Sequence, residues 1–134
     1  MFIPSRIHAI IDYIVGAALI AAPWVLGFAA EADTNSASAY ATWTAVGVGV
    51  LLLCMSLITK YEYSLAKIVA FPTHLVMDMV AGLFLALSPW LFNFADFVYM
   101  PHVIVGCGEI LIAFMTVRMG SASKIDRLVE TTAR

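Results

Sequence analysis

A set of seven residues occurs twice in this chain at one constant displacement, and no other feature restricts the fold as strongly. His8, Asp12, Gly16, Leu19, Pro23, Trp24 and Phe28 return as His74, Asp78, Gly82, Leu85, Pro89, Trp90 and Phe94, each 66 residues later (74 − 8). Both copies lie inside long apolar runs, so an ionisable pair stands twice where charge is costly. Four such runs are visible, near 5–28, 40–59, 70–94 and 100–119. Each has roughly the 20–25 residues that an α-helix needs to cross a bilayer core.

Composition supports this reading. The chain is 63% hydrophobic and 12% charged, against roughly 45–50% and about 25% in soluble domains. The runs take up about two-thirds of the 134 residues, which leaves no room for a separate soluble domain. Arg6, the first apolar run and Ala30-Glu31-Ala32 imitate the three parts of a secretory signal. Asp12 interrupts that run, however, and its internal twin is no signal, so a retained span is expected.

The basic residues set the orientation. Arg6 precedes the first span, Lys60 and Lys67 lie in the middle loop, and Arg118, Lys124, Arg127 and Arg134 end the chain. The loops near 29–39 and 95–99 carry only the acids Glu31, Asp33 and Asp96. Lys and Arg accumulate in cytoplasmic loops. Both termini and the middle loop are therefore expected on the cytoplasmic side of a bacterial-type inner membrane. A net charge of −2 argues against nucleic acid as a partner. Cys54 and Cys107 sit mid-span and read as small packing residues rather than a disulfide framework.

The duplication continues into the second half of each unit. Tyr40, Gly47 and Gly49 match Tyr99, Gly106 and Gly108 at a displacement of 59, which makes the first outer loop longer by seven residues (66 − 59). Each repeat is thus a helical hairpin, and two spans return the chain to its starting side. The expected fold is an all-α bundle of four transmembrane helices, built from two tandem repeats about a pseudo-two-fold axis along the membrane normal. Residues 1–59 form the first repeat, 60–120 the second, and 121–134 a polar cytoplasmic tail. Ile125, Leu128 and Val129 lie on one side of that tail, which reads as a surface amphipathic helix or, equally, as a solvated frayed end.

The APWVLGF of residues 22–28 and the SPWLFNF of residues 88–94, each following H-x-x-x-D and a glycine, resemble the SPW-repeat family of small membrane proteins. The resemblance covers both hairpins. The first copy departs from the name motif, with Ala22 where the second has Ser88. What it implies is an integral membrane protein made of two-span repeats, and it implies no particular activity.

His8, Asp12, Gly16, Leu19 and Pro23 fall within an arc of roughly 80° on one helix face, as do their twins. Lipid would penalise His and Asp, so this face points into the bundle. Glu109 lies roughly 15 Å from the inner edge and Asp12 about 10 Å, at 1.5 Å per residue, so Glu109 is a candidate member of the same cluster. At the displacement of 59 it matches Val50. His102 belongs near the outer surface and carries little weight.

Four readings compete for His8, Asp12, His74, Asp78 and Glu109. In the structural one, each Asp accepts from its own His and the pairs cross-link the first and third helices. In the second, the cluster binds or relays protons or a small cation. In the third, it holds a metal, or His8 and His74 ligate haem, although H-x-x-x-D lacks the established signature of either site. The fourth is an intramembrane enzyme, which lacks a nucleophile in a recognisable motif. No catalytic residue, metal ligand or cofactor is predicted.

Pro23 and Pro89 each free a carbonyl four residues earlier, at Leu19 and Leu85, and are expected to kink their helices. Trp24 and Trp90, with Trp43, are expected to anchor at the outer headgroup level. Bends that open an outward cavity are the alternative. Gly47, Gly49, Gly106 and Gly108 permit close helix contact. The expected function is a non-enzymatic module whose His–Asp core binds a lipid, an ion or a partner subunit. The alternatives are a proton- or cation-coupled permeation unit and a haem- or metal-binding membrane protein. Expected partners are membrane lipid and a second copy or another membrane subunit.

Overall fold

The computed structural model describes residues 3–60 and 64–132, with side chains through Thr116. Four helices follow one another: α1 (Ser5–Val25), α2 (Ser36–Ile58), α3 (Phe71–Leu91) and α4 (Met100–Thr132). No strand is present among the described residues. α1, α2 and α3 are long and apolar enough to cross a membrane, and the apolar part of α4, Met100–Thr116, is shorter. The tail from residue 121 is not a separate element, because α4 runs through to Thr132. Its side chains lie outside the described residues.

α1 packs mainly on α2, and α3 mainly on α4. Glycine makes each contact close. A Cβ on Gly49 would stand 2.7 Å from the Gly16 carbonyl oxygen, and one on Gly82 would stand 2.7 Å from that of Gly106. Backbone meets backbone there, as small residues allow.

These contacts correct the repeat register read from the sequence. The crossing glycines are Gly49 and Gly106, at a displacement of 57, whereas Gly47 and Gly108 face open space. Buried positions agree: His102, Gly106, Glu109, Ala113 and Thr116 on α4 match buried Ala45, Gly49, Leu52, Ser56 and Thr59 at 57. Glu109 therefore replaces Leu52, not Val50, and the first repeat carries nine extra residues before this register (66 − 57). The paired glycines of the two hairpins are two apart in sequence, so identity matching chose the wrong alignment and packing chose the right one.

The Pro-Trp motif lies at the end of each helix that carries it. Pro23 and Pro89 each lie in the last turn. Beyond them the chain enters the left-handed region at Gly27 (φ 81°) and Asn93 (φ 54°). The Pro89 carbonyl accepts from Phe94 N–H at 2.8 Å, and the Pro23 carbonyl from Ala29 N–H at 2.9 Å. These are helix stops of the Schellman type or close to it. They turn Phe28 and Phe94 back into the core beside Leu19 and Leu85. Trp24 and Trp90 remain exposed on the outside.

The serine of the second motif has a definite task. Proline at 89 has no N–H for the Leu85 carbonyl, and the Ser88 hydroxyl donates to it instead at 2.7 Å. Ala22 has no hydroxyl to do the same for Leu19. Ser88→Ala is expected to cost about 1 kcal/mol, read as a lower midpoint in reversible unfolding from detergent.

The hairpins meet more loosely with each other. Shallow apolar grooves remain between α2 and α3 and between α1 and α4. Among the described residues, the Phe28–Phe94 core and the His102–Ala41 hydrogen bond join the hairpins at one end and a polar ring joins them at the other.

Candidate functional site

Each H-x-x-x-D places its imidazole and carboxylate one helical turn apart on a single face. In α1 and α3 those faces turn toward each other. His8, Asp12 and His74 are fully buried and Asp78 is 1% exposed, so the structure brings all four together in the interior. The rings of His8 and His74 stand 5.7 Å apart.

The pairs exchange partners across the hairpins. His8 Nε2 is 3.0 Å from Asp78 Oδ2 and 3.5 Å from Asp12 of its own helix. His74 Nε2 is 2.9 Å from Asp12 Oδ2 and 3.1 Å from Asp78 of its own helix. The expectation that each Asp serves its own His is therefore corrected. A closed ring of four groups forms, and each Asp ties one hairpin to the other.

Hydroxyl groups that the sequence reading did not single out hold the ring. Thr59 is the C-cap of α2. The middle loop folds back on that helix end, with the N–H groups of Leu65 and Ala66 on the Leu57 carbonyl and those of Ile68 and Val69 on the Ile58 carbonyl. Thr59 thereby reaches His74, with Oγ1 2.9 Å from Nδ1. Thr116 on α4 reaches His8 Nδ1 at 3.2 Å. Ser56 donates to Asp12 Oδ2 at 3.2 Å. The corrected displacement of 57 pairs Thr59 with Thr116, so this support is itself repeated. Small hydroxyls in apolar helices usually bond their own backbone, which is why they carried no signal.

The threonines assign the imidazole protons. Each hydroxyl has one hydrogen. Thr59 gives its own to the Met55 carbonyl at 2.6 Å, and Thr116 gives its own to that of Ile112 at 2.8 Å. The one arrangement that satisfies both contacts has Nδ1–H of each imidazole donating to a threonine oxygen. Both Nε2 atoms then face the carboxylates, and each Nε2 requires one proton shared with a carboxylate, or a cation.

Glu109 stands beside this ring without joining it. It is 1% exposed, and neither carboxylate oxygen has a hydrogen-bond partner among the described residues. Its Cβ abuts Gly82, and it is within electrostatic reach of Asp12 and Asp78. Burial without a partner is costly. Glu109→Leu, which restores the residue found at Leu52, is expected to raise stability by about 1–3 kcal/mol, measured by equilibrium unfolding in micelles.

His102 has a different place, at the apolar end. It donates from Nε2 to the Ala41 carbonyl at 3.0 Å and packs against Phe28 and Phe94. It links α4 to α2 and is remote from the ring. Cys54 and Cys107 are unpaired and exposed.

The family model described as the SPW repeat domain matches residues 6–116. The match spans both hairpins, including the ring, both threonines and both Pro-Trp stops. No curated protein and no solved structure gives a match.

Proposed function

The chain belongs to the SPW repeat family, and we propose that it is a non-enzymatic binding module of the membrane interior whose His–Asp ring holds a cation. One observation carries the reading. With Nδ1 of each imidazole committed to a threonine, both Nε2 atoms and both Asp carboxylates converge, all four ligand atoms lying within 4.8 Å of one another. Asp12 Oδ1 and Asp78 Oδ1 have no hydrogen-bond partner among the described residues, which leaves acceptor capacity for a cation. Two buried carboxylates need two positive charges for neutrality, supplied by protons shared with the imidazoles or by a cation that displaces them, and in a low-dielectric interior that balance is worth more than in water. A cation bound here is also the fastener between the hairpins.

The module sits in a cytoplasmic membrane with both termini and the middle loop inside, as the basic residues indicate. The ring is then near the inner surface, and Trp24, Trp43 and Trp90 set the depth at the outer one. Lipid covers the apolar exterior, and a second copy or another membrane subunit is the expected protein partner.

The partnerless Glu109 favours a second reading, a proton- or cation-coupled permeation unit in which it is the station after the ring. That reading requires flux through the reconstituted protein that is lost in both Asp78→Asn and Glu109→Gln.

The test of the first reading is thermal unfolding of the full chain in detergent across chloride salts of alkali, alkaline-earth and transition metals. A bound cation at about 100 times its Kd stabilises by about 2.7 kcal/mol. Wild type is expected to melt higher with at least one cation, and Asp78→Asn is expected not to respond. Melting that no cation shifts would end this reading.

A further inference from the structure

We infer that the cation is a divalent transition metal of the zinc, cobalt or iron(II) type, bound by Nε2 of His8 and His74 and by one carboxylate oxygen each from Asp12 and Asp78. The inference rests on the cation-binding reading above and narrows it to one chemical class.

The donor set is selective. Imidazole nitrogen suits zinc, iron, nickel and copper, whereas magnesium and calcium take oxygen. Two imidazoles and two carboxylates make a four-ligand N₂O₂ set, the number that structural zinc sites use. The spacing agrees as well. A tetrahedron with bonds of about 2.0 Å has edges of roughly 3.3 Å. Three nitrogen–oxygen edges, through Asp12 Oδ2 and Asp78 Oδ2, are 2.9, 3.0 and 3.1 Å; His8 Nε2 meets Asp12 through its other oxygen, Oδ1, at 3.5 Å, and a full set of four ligand atoms lies within 4.8 Å. Ligand atoms held at that separation need little movement to accept an ion in their midst.

The outer layer agrees with the donor set. Metal-bound histidine nearly always donates its other N–H to an oxygen, which fixes the tautomer and the ring plane. Both imidazoles already do so, to Thr59 and Thr116. Ser56 orients the Asp12 carboxylate in the same manner. Phe71 lies against both imidazoles, its ring centre 5.8 Å from that of His8 and 6.3 Å from that of His74. It closes that side of the ring with an apolar surface. Charge also balances, since one dication between two carboxylates and two neutral imidazoles leaves the buried site neutral.

Cobalt(II) is the probe, because tetrahedral nitrogen–oxygen coordination gives it visible ligand-field absorption. Full-length protein in micelles is stripped with a chelator, then titrated with cobalt chloride. Wild type is expected to develop a visible band that saturates at one equivalent and is bleached by zinc. Asp78→Asn is expected to bind cobalt at least tenfold more weakly, and Thr59→Val about 10–100-fold more weakly through the lost outer contact. If Asp78→Asn does not fold, Thr59→Val and the zinc competition in wild type decide. A wild-type protein without a saturable band overturns the inference, as does a band that Thr59→Val and Asp78→Asn leave unchanged. Stabilisation by sodium or calcium with no cobalt band removes the metal class and leaves the cation reading intact. Absence of any cation effect removes both.

Discussion

Asp78→Ala is expected to destabilise the bundle by about 3–5 kcal/mol, the range for removing one partner from a buried ion pair. Asp78 Oδ2 is within 3.0 Å of His8 Nε2 and 3.1 Å of His74 Nε2, so one truncation strips a neighbour from both imidazoles. Asp12 alone remains to serve two rings that no water reaches. Interhelical polar contacts in membranes contribute only about 0.6 kcal/mol on average. That average describes contacts whose members find other partners once the helices separate. Here the loss is larger because the folded state itself is left with unmatched polar atoms. Equilibrium unfolding in mixed detergent, read by circular dichroism, measures it. A double-mutant cycle of His8→Leu with Asp78→Leu separates the cross-hairpin contact from the cost of the orphaned groups. A loss near the membrane average would reduce the ring to an ordinary contact.

Gly106→Ala has the next largest expected effect, a loss of about 3 kcal/mol, at the upper end for overpacking. The added methyl would stand 2.6 Å from the Ala86 backbone nitrogen and 2.9 Å from the Ala86 Cβ. No flexible side-chain end is there to move aside, so the two helices must part. Parting them moves α4, the helix that carries Thr116, relative to the α3 half of the ring. Gly108→Ala, two residues on, faces open space. It is expected to be neutral or to gain up to about 1 kcal/mol from helix propensity. The contrast tests the repeat register directly. A displacement of 59 would make Gly108 the partner of Gly49 and reverse the order of the two effects. Comparing the unfolding midpoints of the two variants decides between them.

Much of the architecture was legible from residue types alone. Apolar runs of spanning length, a doubled motif and confinement of Lys and Arg to alternate loops specify two helical hairpins. The four ring residues were legible too, because His and Asp inside an apolar run have nowhere to go but inward. The first half of each repeat aligned correctly, since chemically distinctive residues such as His, Asp, Pro and Trp mark it. The second half is made of glycine, valine and leucine, which mark nothing. Gly47 and Gly49 against Gly106 and Gly108 offered two registers, and identity favoured the wrong one.

The ring's partners were equally hidden. A spacing of i, i+4 brings His8 near Asp12, and sequence spacing alone says nothing of an acceptor on another helix. Asp78 became the nearer partner of His8 because α1 and α3 were set facing each other across the bundle by contacts elsewhere, at the glycine crossings and the Phe28–Phe94 core. Thr59 and Thr116 acquired their roles in the same manner.

Sequence alone determined which runs are apolar enough to enter a membrane and which of their side chains turn inward, because the cost of transferring each side chain is a local property. Tertiary structure decided which buried groups meet, which glycines touch and which imidazole nitrogen faces a threonine. Those outcomes depend on distances between separate helices, and only packing sets such distances.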